Sequence, residues 1–196
     1  GDTIVVAAGT YTENLSVNKA LNIVGAGAGQ TILDPGGTGA GFDINGDLGT
    51  DATLSISGFT VQNAGTAGVD FDDNAILGTL EITDSHFEAN GYNGVRIGGN
   101  ANPVDLDDVV ITNSTFTGNG EPQLSSGDGD ILFFQYYGDA TLTDLTLTGQ
   151  DRGNGPGENG IQFRGDAGPL GTVTMTNVAI AGIYEKVGLS RSEERR

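Results

Sequence analysis

The chain has 196 residues and a formal net charge of −18, from 26 Asp and Glu against 8 Lys and Arg. It contains no Cys, which excludes disulfides, thiolate nucleophiles and zinc–thiolate sites. The length suits one domain with a sizeable core. Acidic charge repels phosphate backbones and anionic lipid, and no apolar run is long enough to span a bilayer, so we expect no nucleic-acid partner and no membrane insertion.

An internal repeat organises the chain from its first third onward. Five segments superimpose without gaps, at residues 54–61, 80–87, 109–116, 140–147 and 173–180. A weaker copy begins at Leu21. Apolar residues at the first, third and eighth positions of each copy, with polar residues between them, are typical of half-buried strands. The fifth position is always Gly, Asp or Asn, which predicts a turn in each copy. An outward Ser/Thr column, with gaps at Glu81 and Val110, is typical of any exposed strand and weakly suggests ice binding.

A further short strand precedes most copies, which gives three strands per repeat; these strands lie at 41–44, 68–71, 94–97, 130–133 and 160–163. No helical periodicity is sustained, which disfavours helical and leucine-rich solenoids. The pattern therefore predicts an all-β, right-handed parallel β-helix of about six rungs over residues 1–182. We expect a capping turn and a charged, mobile tail over residues 183–196.

The opening residues 1–27, with G-T-Y-x-E followed by L-x-I-x-G-x-G, resemble the start of β-helix domains of the pectin-lyase-like superfamily. The later I-T-[ND]-[SL]-x-F copies are similar to its repeats. The resemblance implies the fold over nearly the whole chain. It does not imply one activity, because the superfamily holds lyases, hydrolases, esterases and epimerases as well as non-catalytic surface modules.

The motifs of the better-known catalytic branches are incomplete in this chain. The only histidine, His86, lies in Ser-His-Phe rather than in Gly-His-Gly, and it has no recognisable partner. Gly149-Gln150-Asp151 follows the strand at 130–133, whereas the esterases have the reverse order. Arg-x-Pro-x-x-Arg and Asp-Pro-His-Asp are also absent. The roughly six rungs and the start without a cap indicate a segment of a longer secreted or surface protein, with further domains of the same parent chain.

The predicted register brings one cluster of charges together on the outer surface. In the strand upstream of each copy, the expected outward column is Asp43, Asp70, Arg96, Leu132 and Gln162. Asp70, Asp72 and Arg96 would then lie on adjacent rungs. In a lyase or epimerase, Asp70 and Asp72 would hold a cation or act as the base, and Arg96 would stabilise the developing charge. The same residues equally form an ordinary cross-strand ion pair.

The segment 131–137 (ILFFQYY) is the densest aromatic patch of the sequence. With Phe133 pointing inward, Phe134 would point outward and, with Tyr136 and Tyr137, would form a platform for sugar rings. Gln162 and Arg164 would extend this substrate-binding surface. Alternatively, the aromatic side chains cover neighbouring loops.

Clustered aspartates suggest that the chain binds Ca²⁺, and the sequence suggests no other cofactor. The predicted oxygen ligands are Asp70, Asp72, Asp73, Asp128 and Asp130. Neither the twelve-residue calcium loop nor the glycine-rich nonapeptide is present, and a hydrated surface adapted to salt is the alternative interpretation.

Two functions follow from these observations. The first is an extracellular β-helix module that binds polysaccharide or serves as a rigid, adhesin-like stalk. The second is a lyase or epimerase acting on acidic polysaccharide. The missing motifs favour the first, and Arg96→Ala separates the two because only an enzyme would lose turnover.

Overall fold

The computed structural model describes residues 1–71, 75–98, 105–120, 130–134, 138–149, 159–165, 171–183 and 189–193. Eighteen strands and no helix occur in these residues. In chain order they are β1 (Asp2–Val5), β2 (Gly9–Tyr11), β3 (Leu15–Val17), β4 (Leu21–Val24), β5 (Thr31–Leu33), β6 (Phe42–Ile44), β7 (Thr53–Ser57), β8 (Thr60–Gln62), β9 (Ala67–Phe71), β10 (Ile76–Thr83), β11 (His86–Glu88), β12 (Asn93–Ile97), β13 (Asp105–Thr117), β14 (Asp130–Phe134), β15 (Asp139–Thr148), β16 (Asn159–Gly165), β17 (Val173–Ala181) and β18 (Leu189–Glu193).

Every pairing between these strands is parallel, and the strands form three stacks along the solenoid. The first stack runs from β1 through β4, β7 and β10 to the first halves of β13, β15 and β17, and the second runs from β2 through β5, β8 and β11 to their second halves. These two stacks form one sheet of 11 strands, and the third stack, from β3 to β18, forms a separate sheet of 7. The predicted parallel β-helix is confirmed.

The stacks extend slightly beyond the six predicted rungs, at both ends of the solenoid. Asp2–Val5 pairs with Leu21–Val24 and forms a strand of its own ahead of the weak first copy. At the other end, Leu189–Glu193 pairs with Asn159–Gly165. The third stack therefore continues into the segment for which the sequence predicted a mobile tail, while the predicted capping turn falls mainly on residues 184–188, outside the described residues.

The bend between the first and second stacks occurs at the turn position that the repeat predicts. Its residues have positive φ angles: Gly58 at 71°, Asp84 at 51°, Asn113 at 45°, Asp144 at 55° and Asn177 at 52°. Glycine, Asp and Asn tolerate this left-handed backbone better than other residues. The turn side chains also contact each other across rungs, because Asn177 Nδ2 donates a hydrogen bond of 2.7 Å to Asp144 Oδ1.

The core consists of apolar ladders that run along the solenoid axis. One ladder contains Ile56, Ile82 and Ile111, all fully buried and paired in register. In another, the rings of Phe87 and Phe116 stack with centroids 4.9 Å apart. Since each rung covers the apolar side chains of the next, burial depends on having a rung on both sides.

A buried asparagine ladder satisfies the backbone at the corner that follows the second stack. Asn90 and Asn119 are fully buried. The Asn90 Nδ2 group donates to Val61 O at 3.0 Å and to Asn119 Oδ1 at 2.9 Å. Asn90 Oδ1 accepts a bond of 3.0 Å from Ala64 N. Unpaired buried backbone groups are costly, so this ladder fixes the corner.

Within the described residues, no helix has the length and apolar character needed to cross a bilayer.

Candidate functional site

The predicted contact between Asp70 and Arg96 forms on the outer surface of the third stack. The two residues pair in register on β9 and β12. Arg96 Nε donates to Asp70 Oδ1 at 2.8 Å, and Arg96 Nη2 donates to Asp70 Oδ2 at 2.8 Å. The side chains are 30% and 11% exposed for Arg96 and Asp70, respectively. This is a bidentate, charge-assisted pair that engages both carboxylate oxygens.

The rungs on the N-terminal side of this pair continue the polar surface. Asp43 pairs in register with Asp70. Asn45 Nδ2 donates to Asp43 Oδ2 at 3.2 Å and to Ser16 Oγ at 2.8 Å. The column therefore runs in register from a hydroxyl through two carboxylates to a guanidinium. Within it, the Asp70–Arg96 pair joins two rungs, and Asn45 joins Ser16 to Asp43.

On the C-terminal side of Arg96, the structure corrects the predicted register by one residue. Arg96 pairs with Phe133 rather than Leu132, and buried Leu132 pairs with Val95. Phe134 pairs with Ile97 and Phe163, which are core positions. Because strand side chains alternate between faces, this shift exchanges the two faces of β14. Phe133, not Phe134, occupies the outward column, and Gln162 follows it in register.

The physical reason for the shift is the core position of Val95. A buried apolar residue must fill that position in the next rung, and Leu132 does so with none of its surface exposed. The run Ile131-Leu132-Phe133-Phe134 has no polar residue to mark the outward side. Alternation therefore does not determine its register, and packing on the neighbouring rung does.

The other predicted site residues are only partly covered by the described structure. Gln162 is half-buried in the outward column. Asp130 and Phe134 lie in strand β14 and Arg164 lies in strand β16. The remaining predicted residues lie outside the described residues: Asp72, Asp73, Asp128, Tyr136 and Tyr137. The predicted outward position of Phe134 is wrong, because Phe134 is in register with the core residues Ile97 and Phe163. The roles predicted for Tyr136 and Tyr137 and for most of the calcium ligands stay predictions.

No cluster of three or more His, Cys, Asp or Glu side chains suited to a metal occurs in the part of the chain that the structure describes. Asp70, the predicted ligand whose side chain is described, uses both carboxylate oxygens for Arg96. A cation at Asp70 would compete with this guanidinium for the same oxygens.

Asp34 is a polar centre that the sequence analysis did not identify. Its Oδ2 accepts bonds from Gln62 Nε2 at 2.8 Å and Asn63 Nδ2 at 3.2 Å, and its Oδ1 accepts one of 3.0 Å from Gly36 N. The hydrogen bond from Gln62 is the main reason that the pKa of Asp34 lies below its ordinary value; those from Gly36 and Asn63 also lower it, and desolvation partly opposes them. Gln62 and Asn63 lie on the next rung, so their bonds to Asp34 join two rungs, whereas the bond from Gly36 is local.

Two other outward features, His86 and the Ser/Thr column, lack the charged contacts found at Asp70 and Asp34. His86 is half-buried between Thr60 and Thr115 in register, and its Nε2 atom has no hydrogen-bond partner in the described structure. The predicted Ser/Thr column is confirmed in register: Ser57, Thr83, Thr112, Thr143 and Thr176. The predicted gaps are wrong, because Glu81 and Val110 lie in the neighbouring column with Ser55 and Thr141.

Residues 40–183 match the model of a protein family described as right-handed beta helix region. Comparison with curated proteins and with solved structures gives no significant match.

Proposed function

The chain belongs to the right-handed beta helix region family, and on that premise we propose that it is a non-catalytic module that binds polysaccharide on the outer surface of its third stack. The proposal includes an extracellular or cell-surface location, where long polysaccharide chains occur. The fold alone supports many functions, so the proposal depends on the outward residues.

The observation that carries the proposal is the bidentate Asp70–Arg96 pair. A lyase needs a carboxylate that is free to take a proton and a cation that is free to hold the substrate's carboxylate. Here each group is the other's partner, with both contacts at 2.8 Å. The pair engages both carboxylate oxygens and is still partly exposed, which suits a fixed hydrogen-bonding surface better than proton transfer.

The rest of the outward column has the groups that recognise sugars. It continues in register through Phe133 and Gln162 to Ser190. Carboxylate, amide and hydroxyl groups hydrogen-bond sugar hydroxyls. The net charge of −18 disfavours an anionic chain. The proposed ligand is therefore a neutral polysaccharide.

The proposal is tested by affinity gel electrophoresis of the chain in gels that contain neutral or acidic polysaccharides, with and without Ca²⁺. We expect retardation in a neutral gel, its loss in Gln162→Ala, and its retention in Thr176→Ala. Thr176 is the matched control because it is an exposed polar residue on the first stack.

The same samples are assayed for unsaturated products by ultraviolet absorbance. Product that disappears in Arg96→Ala would overturn the proposal in favour of the lyase or epimerase. Absence of both retardation and product would also overturn the proposal. The alternative would then be a rigid stalk, a role that the seven-stranded third stack favours. Retardation that requires Ca²⁺ would revive the predicted calcium ligands.

A further inference from the structure

Asparagine is followed by glycine several times in this chain, and the fold places these pairs in different surroundings. The pairs begin at Asn45, Asn90, Asn93, Asn119, Asn154 and Asn159. Because glycine has no Cβ, its backbone nitrogen can approach the side-chain amide carbon of the preceding asparagine. Attack by that nitrogen within the chain is the route by which asparagine loses ammonia. Asn154 lies outside the described residues, and the other five pairs can be compared.

The pairs at Asn90 and Asn119 are closed, because they belong to the buried asparagine ladder. Both asparagines are fully buried. The nitrogens that would attack them are also occupied: Gly91 N donates to Ala64 O at 2.8 Å, and Gly120 N donates to Asn90 O at 2.7 Å. Reaction at either pair requires these bonds to break and water to reach a buried amide.

The pairs at Asn93 and Asn159 lie within strands of the third stack. Asn93 is 3% exposed and begins β12, which has β9 on one side and β14 on the other. Asn159 begins β16, which lies between β14 and β18. Closing a ring between asparagine and glycine requires a backbone rotation away from the extended form. Neither pair can make it without leaving its ladder.

The pair at Asn45 differs in each of these respects. Asn45 is half-buried and follows the last residue of β6, where the chain leaves the third stack. Gly46 has a φ of 81°, and a Cβ built on it would meet nothing within 4 Å. In the described structure Gly46 O accepts a bond of 3.0 Å from Ile76 N, whereas Gly46 N donates to no partner. The attacking nitrogen is therefore unpaired, and its surroundings are open.

The leaving group of Asn45 lies on the outer surface. Asn45 Nδ2 donates to Ser16 Oγ at 2.8 Å, to Asp43 Oδ2 at 3.2 Å and to Asp43 O at 3.3 Å. Ser16 and Asp43 both belong to the outward column of the third stack, and Ser16 is exposed. Ammonia formed from this nitrogen therefore leaves into water rather than into the core.

We propose that Asn45 is a site of spontaneous deamidation in the folded chain, through a succinimide formed with Gly46. Gly46 N attacks Asn45 Cγ and loses its proton. The Cγ–Nδ2 bond then breaks, and ammonia leaves with that proton. Water opens the ring at either carbonyl and gives aspartate or isoaspartate at position 45. Water is the one co-reactant, and the inference does not depend on polysaccharide binding.

The product changes the contact between two rungs of the third stack. A carboxylate replaces the amide that donates to Asp43 Oδ2, so a hydrogen bond gives way to repulsion between like charges. One further negative charge is added to a chain of net charge −18. Isoaspartate also lengthens the main chain directly after β6. The modification therefore alters this surface with time and without an enzyme.

The test incubates the folded 196-residue chain at neutral and at mildly alkaline pH and maps its peptides by mass spectrometry. We expect aspartate and isoaspartate to accumulate at position 45 at least about tenfold faster than at position 119. The rate should rise with pH, because the attacking nitrogen must lose its proton. A parallel sample unfolded in urea is expected to react at both positions at similar rates. Circular dichroism checks that the first sample stays folded.

Variants assign the reaction to this pair. Asn45→Gln is expected to remove it, and Gly46→Ala to slow it at least about tenfold, because a Cβ then crowds the attacking nitrogen. The control is Asn22→Gln, a half-buried asparagine of the first stack that Ile23 follows; it is expected to react at position 45 like wild type. An amide that persists at position 45 in the folded chain, equal rates at positions 45 and 119 in that chain, or an unchanged rate in Gly46→Ala would overturn the proposal.

Discussion

The middle and end rungs contain the same side-chain ladder in opposite surroundings. Ile56, Ile82 and Ile111 are fully buried because each has a rung on both sides, whereas Ile4 and Met175 have a described rung on one side and are substantially exposed. The residue types and the register are alike, so position in the stack decides burial. The stabilising unit of this protein is therefore the contact between rungs, rather than the rung itself.

The sharpest way to break this comparison is to truncate one ladder at two heights. Ile82→Ala removes a buried side chain between two rungs and is expected to lower the free energy of unfolding by about 2–5 kcal/mol. Ile4→Ala, the same change in the same ladder at the end, is expected to cost less than about 1 kcal/mol. Urea unfolding followed by circular dichroism measures both. Equal losses would show that rung-to-rung burial does not determine stability.

A second comparison sets a buried polar ladder against an exposed one. Asn90→Ala removes the donor to Val61 O and leaves buried groups unpaired, including Ala64 N, so we expect a loss of about 1–3 kcal/mol. The control is Asn113→Gly, which preserves the left-handed backbone but removes an exposed contact to Asp84. Its expected cost is about 0.5 kcal/mol. A control loss as large as that of Asn90→Ala would mean that the buried ladder has no special role.

The outer surface is expected to contribute less than either ladder. Arg96→Ala removes a partly exposed ion pair, and we expect a loss of about 1 kcal/mol. A double-mutant cycle with Asp70→Ala isolates the coupling between the two side chains, which is expected to be about 1 kcal/mol. A coupling energy near zero would show that the bidentate geometry does not stabilise the rungs, and it would weaken the argument that the pair is a rigid surface.

The parts of the fold that were predictable are those in which two constraints agree. Apolar alternation and a turn residue recur together in each copy, so Leu54, Leu80 and Val109 align in sequence as they do in space. The contact between Asp70 and Arg96 follows from that register alone. Its bidentate geometry does not, because it depends on side-chain rotamers that no spacing reveals.

Prediction failed where one of these constraints was missing. The run of apolar residues at 131–134 has no alternation, so the faces of β14 could not be read from it, and packing against Val95 sets its register. Asp34 was missed for a related reason. Its partners Gln62 and Asn63 are 28 and 29 residues away, on the next rung, and loops of unequal length separate the rungs, so no fixed spacing joins acceptor and donors.

Asp34 gives the smallest effect and tests whether surface contacts between rungs respond to pH. Its carboxylate accepts bonds from the next rung, and the pKa of Asp34 in the folded chain is lowered from 3.8. A lowered folded pKa means that the stabilisation is fully present above the unfolded pKa, near 3.8, and is lost as the pH falls through the folded pKa. Gln62→Ala removes the main cause, so the pKa of Asp34 is expected to rise toward its ordinary value in a side-chain NMR titration. The stability difference between wild type and Asp34→Asn should then shrink as the pH falls below about 4. A difference that stays constant through this range would mean that Asp34 holds the two rungs together without its charge.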